Sequence, residues 1–277
     1  MVNTRDSEDR HGPRHAHLEA SEAAAARGVR RLYQSPENNR APGRTCMTAC
    51  CLLKAEGRVW QEASQIDSKG CGANMRVAPI GLAPGLSDEQ RAGDAQLQSA
   101  LTHGHPTALA ASDLTARAVH LLAQGTDPVG LVGRLRYAYD NRTRYHHTWL
   151  GDLWTRSQDP TPNASSHAVG TSAWRSWTGS RRLCAPSHRR PTRAWPPVRA
   201  GSPKRLATGL LCFLLFPDEP VIALRRAACS SGDSDSIACL TGAFAGAWLG
   251  ADAWPAQWAD RIEHRGELLA LGELWDA

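Results

Sequence analysis

The stretch "LSDEQRAGDAQLQSALTHGHPTALAASDLTARAVHLLAQG", residues 86–125, decides the fold class. Ser87 stands where a helix N-cap belongs, and Gln90, three residues on, completes a capping box. Asp88 and Glu89 favour the positive end of the helix that follows. Leu97 and Leu101 fall on one face, and "HGHP" ends the element. Pro106 then opens a second helix, since its missing N–H costs nothing in a first turn. Leu109, Leu114, Ala118, Leu121 and Leu122 point inward from it, and Gly125 supplies the C-terminal stop. Two capped helices joined by so few residues make antiparallel neighbours.

The rest of the chain agrees with that beginning. "RTCMTACCLLKAEG" (44–57) reads as an amphipathic helix stopped by Gly57, after a Pro- and Asn-rich loop at 35–43. "DPVGLVGRLRYAYDNRTRYHHTWLGDLW" (127–154) suggests a further helix and a turn, and no segment alternates as a half-buried strand does. The expected fold is all-α, a compact multi-helix body with irregular or disordered residues 1–34 and 155–205. Within 1–34, residues 17–33 have a helix-forming composition but lack a clear apolar period.

The 277 residues suffice for a sizeable core. The longest apolar run, "LATGLLCFLLF" (206–216), is too short to span a bilayer and stops at Pro217. The first twenty residues lack the apolar centre of a signal peptide, so a cytoplasmic location is expected, with no membrane partner. None of the eight cysteines forms a C-x-x-C pair, and Cys212 and Cys239 sit among apolar neighbours, so reduced, packed thiols are expected. The net charge of +5 comes from one segment, 155–205, with ten basic residues against the single acid Asp159. That segment has no helical period. It reads either as a solvated basic loop or as a stretch translated out of frame, since 170–179 back-translates to a neighbouring frame with an acidic amphipathic pattern. Its Trp174, Trp177 and Trp195 could stack on bases, but a nucleic-acid partner is the weakest of the readings.

The candidate chemistry lies in "SSGDSDSIACLTGAFAGAWLG", residues 230–250. Gly232 permits a tight turn and Asp233 is placed to cap a helix. Ala238, Gly242, Gly246 and Gly250 recur every fourth residue, a smooth face for close approach. Helix capping alone would account for the acids. The alternative is a hard-cation site, in which Asp233, Asp235 and Ser236 offer oxygens suited to Mg²⁺ or Mn²⁺.

Three stretches together resemble the ADP-ribosylglycohydrolase family. "SGDSDSIACLTGAFAGA" is similar to the family's C-terminal metal motif, "SKGCGANMRVAPIGL" (68–82) to its glycine-rich loop, and "ALTHGHPTALAA" (100–111) to its T-H-x-x-P helix junction. The resemblance implies an all-α hydrolase that cleaves the glycosidic bond between ADP-ribose and an acceptor, an ADP-ribosylated protein side chain or a related small molecule. It implies two adjacent Mg²⁺ or Mn²⁺ ions and a metal-bound water, with no catalytic side chain singled out. Carried over by position, Asp233, Asp235 and Ser236 are metal ligands. Ser68, Lys69, Gly70, Gly72 and His103 line the substrate pocket. Neither the family's N-terminal Thr-Asp-Asp motif nor its Gly-Asp-Ala-Gly-type helix is found, and Asp67 stands where a small residue is usual. Residues 1–34 are therefore expected to be atypical, with the family-like domain over 35–277, interrupted by 155–205. Impaired hydrolysis is the expectation, and a non-catalytic ADP-ribose-binding module the alternative.

Overall fold

The computed structural model describes residues 13–36, 43–54, 59–142, 145–156 and 201–276. Among these there are fourteen α-helices and no strand. They are α1 (Pro13–Gln34), α2 (Arg44–Leu53), α3 (Trp60–Ala63), α4 (Gly72–Met75), α5 (Ala78–Leu82), α6 (Asp88–Ala100) and α7 (Pro106–Ala123). There follow α8 (Pro128–Arg142), α9 (His147–Leu150), α10 (Ser202–Leu215), α11 (Pro220–Ala228), α12 (Ser234–Leu249), α13 (Ala256–Ala259) and α14 (Arg265–Asp276). A 3₁₀ turn covers Gly151–Arg156.

The capping box at the start of α6 forms in both directions. Gln90 N–H donates to Ser87 Oγ at 3.2 Å, and Ser87 N–H to Gln90 Oε1 at 2.9 Å. From there α6 turns into α7, which is buried along most of its length and serves two apolar clusters. Leu109 joins Leu97, Leu101 and Trp149 on one side, while Leu114, Val119 and Leu122 meet Phe213, Leu240 and Phe244 on the other. Side chains as fully buried as Phe213 and Phe244 each contribute about 1.5–3 kcal/mol of transfer free energy. Leu121 is only half-buried, at the edge of the second cluster.

Three expectations need correction. Residues 13–34 are not irregular: they form α1, and Leu18 is buried in the first cluster. His17 reaches Asp94 Oδ2 at 2.9 Å, while Trp149 Nε1 donates to Asp94 Oδ1 at 3.0 Å, so a polar tie joins α1 to α6 and α9. The alternating apolar period is weak there because a single side of a surface helix docks through few residues. The basic segment is also narrower than expected: Thr155 and Arg156 finish the 3₁₀ turn and residues 202–205 begin α10. Residues 157–200, including Trp174, Trp177 and Trp195, lie outside the described residues, as do residues 1–12. Third, the small-residue face of α12 is not where helices approach closely, since a Cβ at Gly242 or Gly246 would make ordinary contacts. The close approach is at Gly209 of α10, where a Cβ would come within 2.9 Å of Leu240 Cβ and 3.2 Å of the Ile237 carbonyl oxygen. Gly209 lets α10 lie against the first two turns of α12, which fixes where Asp233 and Asp235 sit. Of the two cysteines expected to be packed, Cys212 is buried and Cys239 is exposed. No helix among the described residues is long and apolar enough to cross a membrane.

Candidate functional site

The glycine loop begins where the chain leaves α3. Gln65 pairs with the turn after α6: its N–H donates to the Thr102 carbonyl and its own carbonyl accepts from Gly104 N–H, both at 3.1 Å. This two-bond bridge brings residues 64–72 against His103. Ser68 shares a 3.0 Å hydrogen bond with Thr45 Oγ1 from α2, and Gly70 N–H donates to Ser68 Oγ at 3.4 Å. Lys69 is exposed at the loop's tip.

His103 explains the glycines. A Cβ at Gly70 would stand 3.0 Å from His103 Nε2; one at Gly72 would stand 3.2 Å from His103 Cε1 and 3.2 Å from Cys46 Sγ. The imidazole is buried between them, so the glycines make room for a side chain of the protein itself. Packing against His103 is thus one reason for glycine at both positions. His103 Nδ1 shares a 2.8 Å hydrogen bond with Thr102 Oγ1, which also accepts from Arg76 Nη2 at 2.7 Å. Burial, reinforced by the Arg76 charge, lowers the His103 pKa to about 4. The ring is neutral at pH 7, a spacer in the loop and no charged anchor for an anion.

The loop's other side receives α10. Ser202 N–H donates to the Lys69 carbonyl at 2.8 Å, and Ser202 Oγ to the Gly70 carbonyl at 2.5 Å. Pinning this first turn delivers Arg205 into the acidic turn, where its guanidinium is ion-paired with Asp233 Oδ2. Ser236 Oγ donates to the other Asp233 oxygen, Oδ1, at 2.8 Å. Asp233 occupies the N-cap position of α12, as expected, but its side chain makes no capping bond to the backbone. Its oxygens bond instead to Arg205 and Ser236. Asp235 is exposed. Gly232 has φ +85°, as the tight turn requires.

Cys71 links the two motifs. Burial pushes its thiol up to about 12, the nearby Arg205 partly opposing this, with Asp233 and Ser236 also within electrostatic or hydrogen-bonding reach. Cys239 Sγ approaches the Met75 carbonyl at 3.6 Å. The glycine loop and the acidic turn, 160 residues apart in sequence, therefore meet through α10 and Cys71. Sequence reasoning did not find Arg205 or Ser202, because both fell in the segment set aside as anomalous. The signal was present: Ser202-Pro203 just before an apolar helical run marks a helix start, which places Arg205 in its first turn.

The sequence matches the ADP-ribosylglycohydrolase family over residues 8–277. The chain belongs to that family. The match includes α1, which the sequence alone had set apart, and both motifs of the site. A solved structure described as an ADP-ribosylglycohydrolase-related protein complex superposes with a TM-score of 0.58 at 20% identity, over 92% of this chain and 78% of that one. At that identity it supports the shared fold. No curated protein matches the chain.

Members of the family are generally metal-dependent, so the donor set must be tested against that role. Magnesium takes six oxygens in near-octahedral order, and two ions need several shared carboxylates. Asp233 has both oxygens engaged already, one by a guanidinium. Among the described residues no three His, Cys, Asp or Glu side chains cluster as metal ligands. Asp233, Asp235 and Ser236 are brought together, as expected of the motif, but as arranged they do not fit a two-ion centre.

Proposed function

We propose that this chain recognises the ADP-ribose part of an ADP-ribosylated protein side chain, or of a related ADP-ribose compound, and cleaves the glycosidic bond to the acceptor weakly or not at all. The observation that carries this reading is the meeting of the glycine loop with the acidic turn through Ser202, Arg205 and Cys71. In this reading Ser68, Lys69, Gly70 and Gly72 form the pocket wall. The exposed Lys69 ammonium supplies positive charge for a diphosphate. Asp235, exposed and readily ionised, accepts hydrogen bonds from ribose hydroxyls. His103 supports the wall from behind, a role different from direct contact with the ligand.

Cleaving a glycosidic bond develops oxocarbenium-like charge at the anomeric carbon and needs a water delivered to it. Asp235 can stabilise such charge electrostatically. Asp233 beside it is already paired with Arg205 and is not free to orient the water, so turnover is expected to be low. Mg²⁺ or Mn²⁺ remains the ion class implied by the family, but no step of this account runs through it. The second reading, a non-catalytic ADP-ribose-binding module, is favoured by the Arg205–Asp233 pair. Turnover assays on ADP-ribosylated arginine or serine peptides, run alongside ADP-ribose calorimetry, separate the two. Binding with cleavage that Asp235→Ala abolishes supports the hydrolase, and binding without cleavage supports the module. Absence of binding contradicts both.

A further inference from the structure

We infer that Arg205 is the built-in cation of the acidic turn, holding Asp233 in the place a divalent ion would need and allowing the site to assemble without one. The inference deepens the family reading of Asp233 and Asp235 and rests on it.

Three observations carry it. First, the pair is sheltered: the Arg205 side chain is 14% exposed and that of Asp233 29%. A charge-assisted hydrogen bond there is stronger than one in open water. Second, Arg205 is not a long side chain that happens to fold back. Its helix is pinned to the glycine loop by the two Ser202 bonds, and Gly209 lets that same helix lie against α12. The guanidinium is thus positioned by the fold on both sides of the site. Third, both Asp233 oxygens are already engaged, Oδ1 by the Ser236 hydroxyl and Oδ2 by Arg205.

A divalent ion on Asp233 would stand within a few ångströms of a permanently positive guanidinium. The like charges repel, and the ion carries two of them. Arginine cannot relieve that repulsion by losing its proton. Entry of the ion therefore requires Arg205 to leave, and with it one of the ties between α10 and the start of α12. Ser236, which could be a neutral ligand, is in this arrangement a donor to Asp233.

Titration of free Mn²⁺ by electron paramagnetic resonance tests this on the intact chain. The wild-type protein is expected to leave the hexaaqua Mn²⁺ signal unchanged at millimolar protein, and its melting temperature is expected not to move with Mn²⁺ or EDTA. Arg205→Gln is expected to bind Mn²⁺ at least ~10-fold more tightly than wild type, and Arg205→Gln/Asp235→Asn to lose that gain. Arg205→Lys keeps the charge and is expected to exclude Mn²⁺ as wild type does. Wild-type Mn²⁺ binding that is lost in Asp235→Asn would overturn the inference even if Arg205→Gln fails to fold. So would an Arg205→Gln variant that folds yet binds no more Mn²⁺ than wild type. ADP-ribose calorimetry on the same samples reports on the proposed ligand, so failure of that reading is seen separately.

Discussion

The glycine loop and the acidic turn face one another, yet they are built by opposite means. In the loop, Cys71, Ala73, Asn74 and Val77 are buried, and a neutral imidazole fills the space between two glycines. In the turn, Ser231, Gly232 and Asp235 are exposed, Asp233 and Ser234 are half-buried, and the conformation is held by a guanidinium and a hydroxyl. Packing sets one wall of the site and charge sets the other. Substitutions in the loop should therefore cost stability, and substitution of the turn's exposed Asp235 should cost ligand binding with little effect on folding.

The largest effect is expected from His103→Ala. Removing a buried ring from between Gly70 and Gly72 leaves a cavity and deprives Thr102 of a partner. By analogy with large-to-small core changes, a loss of about 2–4 kcal/mol is expected in denaturant unfolding. Gly70→Ala attacks the same contact from the other side. Its methyl group would need the ring to shift by a few tenths of an ångström, and a cost of about 1–3 kcal/mol follows. If both variants unfold like wild type, the loop is not held by packing.

A pH series sharpens the same point. His103 titrates at about 4 when folded against an ordinary 6.5, so its contribution is fully present above 6.5 and is lost as the pH falls towards about 4. Asp113, buried in α7, has its carboxyl raised from 3.8 to about 6 by burial, with the Gln96 amide at 3.0 Å partly opposing. Its contribution has the opposite sign: present below 3.8 and lost as the pH rises through about 6. Each amounts to something on the order of 3 kcal/mol, and across pH 4–6 they offset one another. Asp113→Asn is expected to uncover the histidine, making stability fall steeply on acidification where wild type changes little. Equal slopes in the two proteins would contradict the assignment.

Ser202→Ala removes the hydroxyl that bonds to the Gly70 carbonyl and should cost about 1 kcal/mol. Because that bond also anchors the helix carrying Arg205, the variant should bind ADP-ribose more weakly. The smallest change in stability is expected for Asp235→Ala, within about 0.5 kcal/mol of wild type, as for an exposed side chain. Its effect belongs in binding.

Most of the fold could be read from the sequence because caps and stops are local. Ser87, Gln90, Pro106 and Gly125 each act through neighbours a few residues away, and the structure uses every one of them. The meeting of loop and acidic turn was legible only through the family resemblance, since nothing in the spacing of Gly70 and Asp233 says they are neighbours. Arg205 was illegible for a different reason. Its role depends on α10 docking through Gly209 and Ser202, a tertiary event, and its surroundings in sequence are crowded with arginines that look alike. The glycines at 70 and 72 show the reverse case: their importance was visible, but their packing against His103 was not. The last helix, α14, marks a limit of pattern reading as well. Leu268, Leu269, Leu271 and Leu274 give it an apolar side, yet all four are exposed.

Calorimetric titration of the wild-type chain and of Asp235→Ala with ADP-ribose is the most direct measure of whether loop and turn form one site. The account predicts saturable one-to-one binding to wild type, weakened roughly tenfold, or about 1.4 kcal/mol, by the substitution, with unfolding curves that coincide. No heat of binding to the folded wild-type protein, or equal affinity in the two, would contradict it.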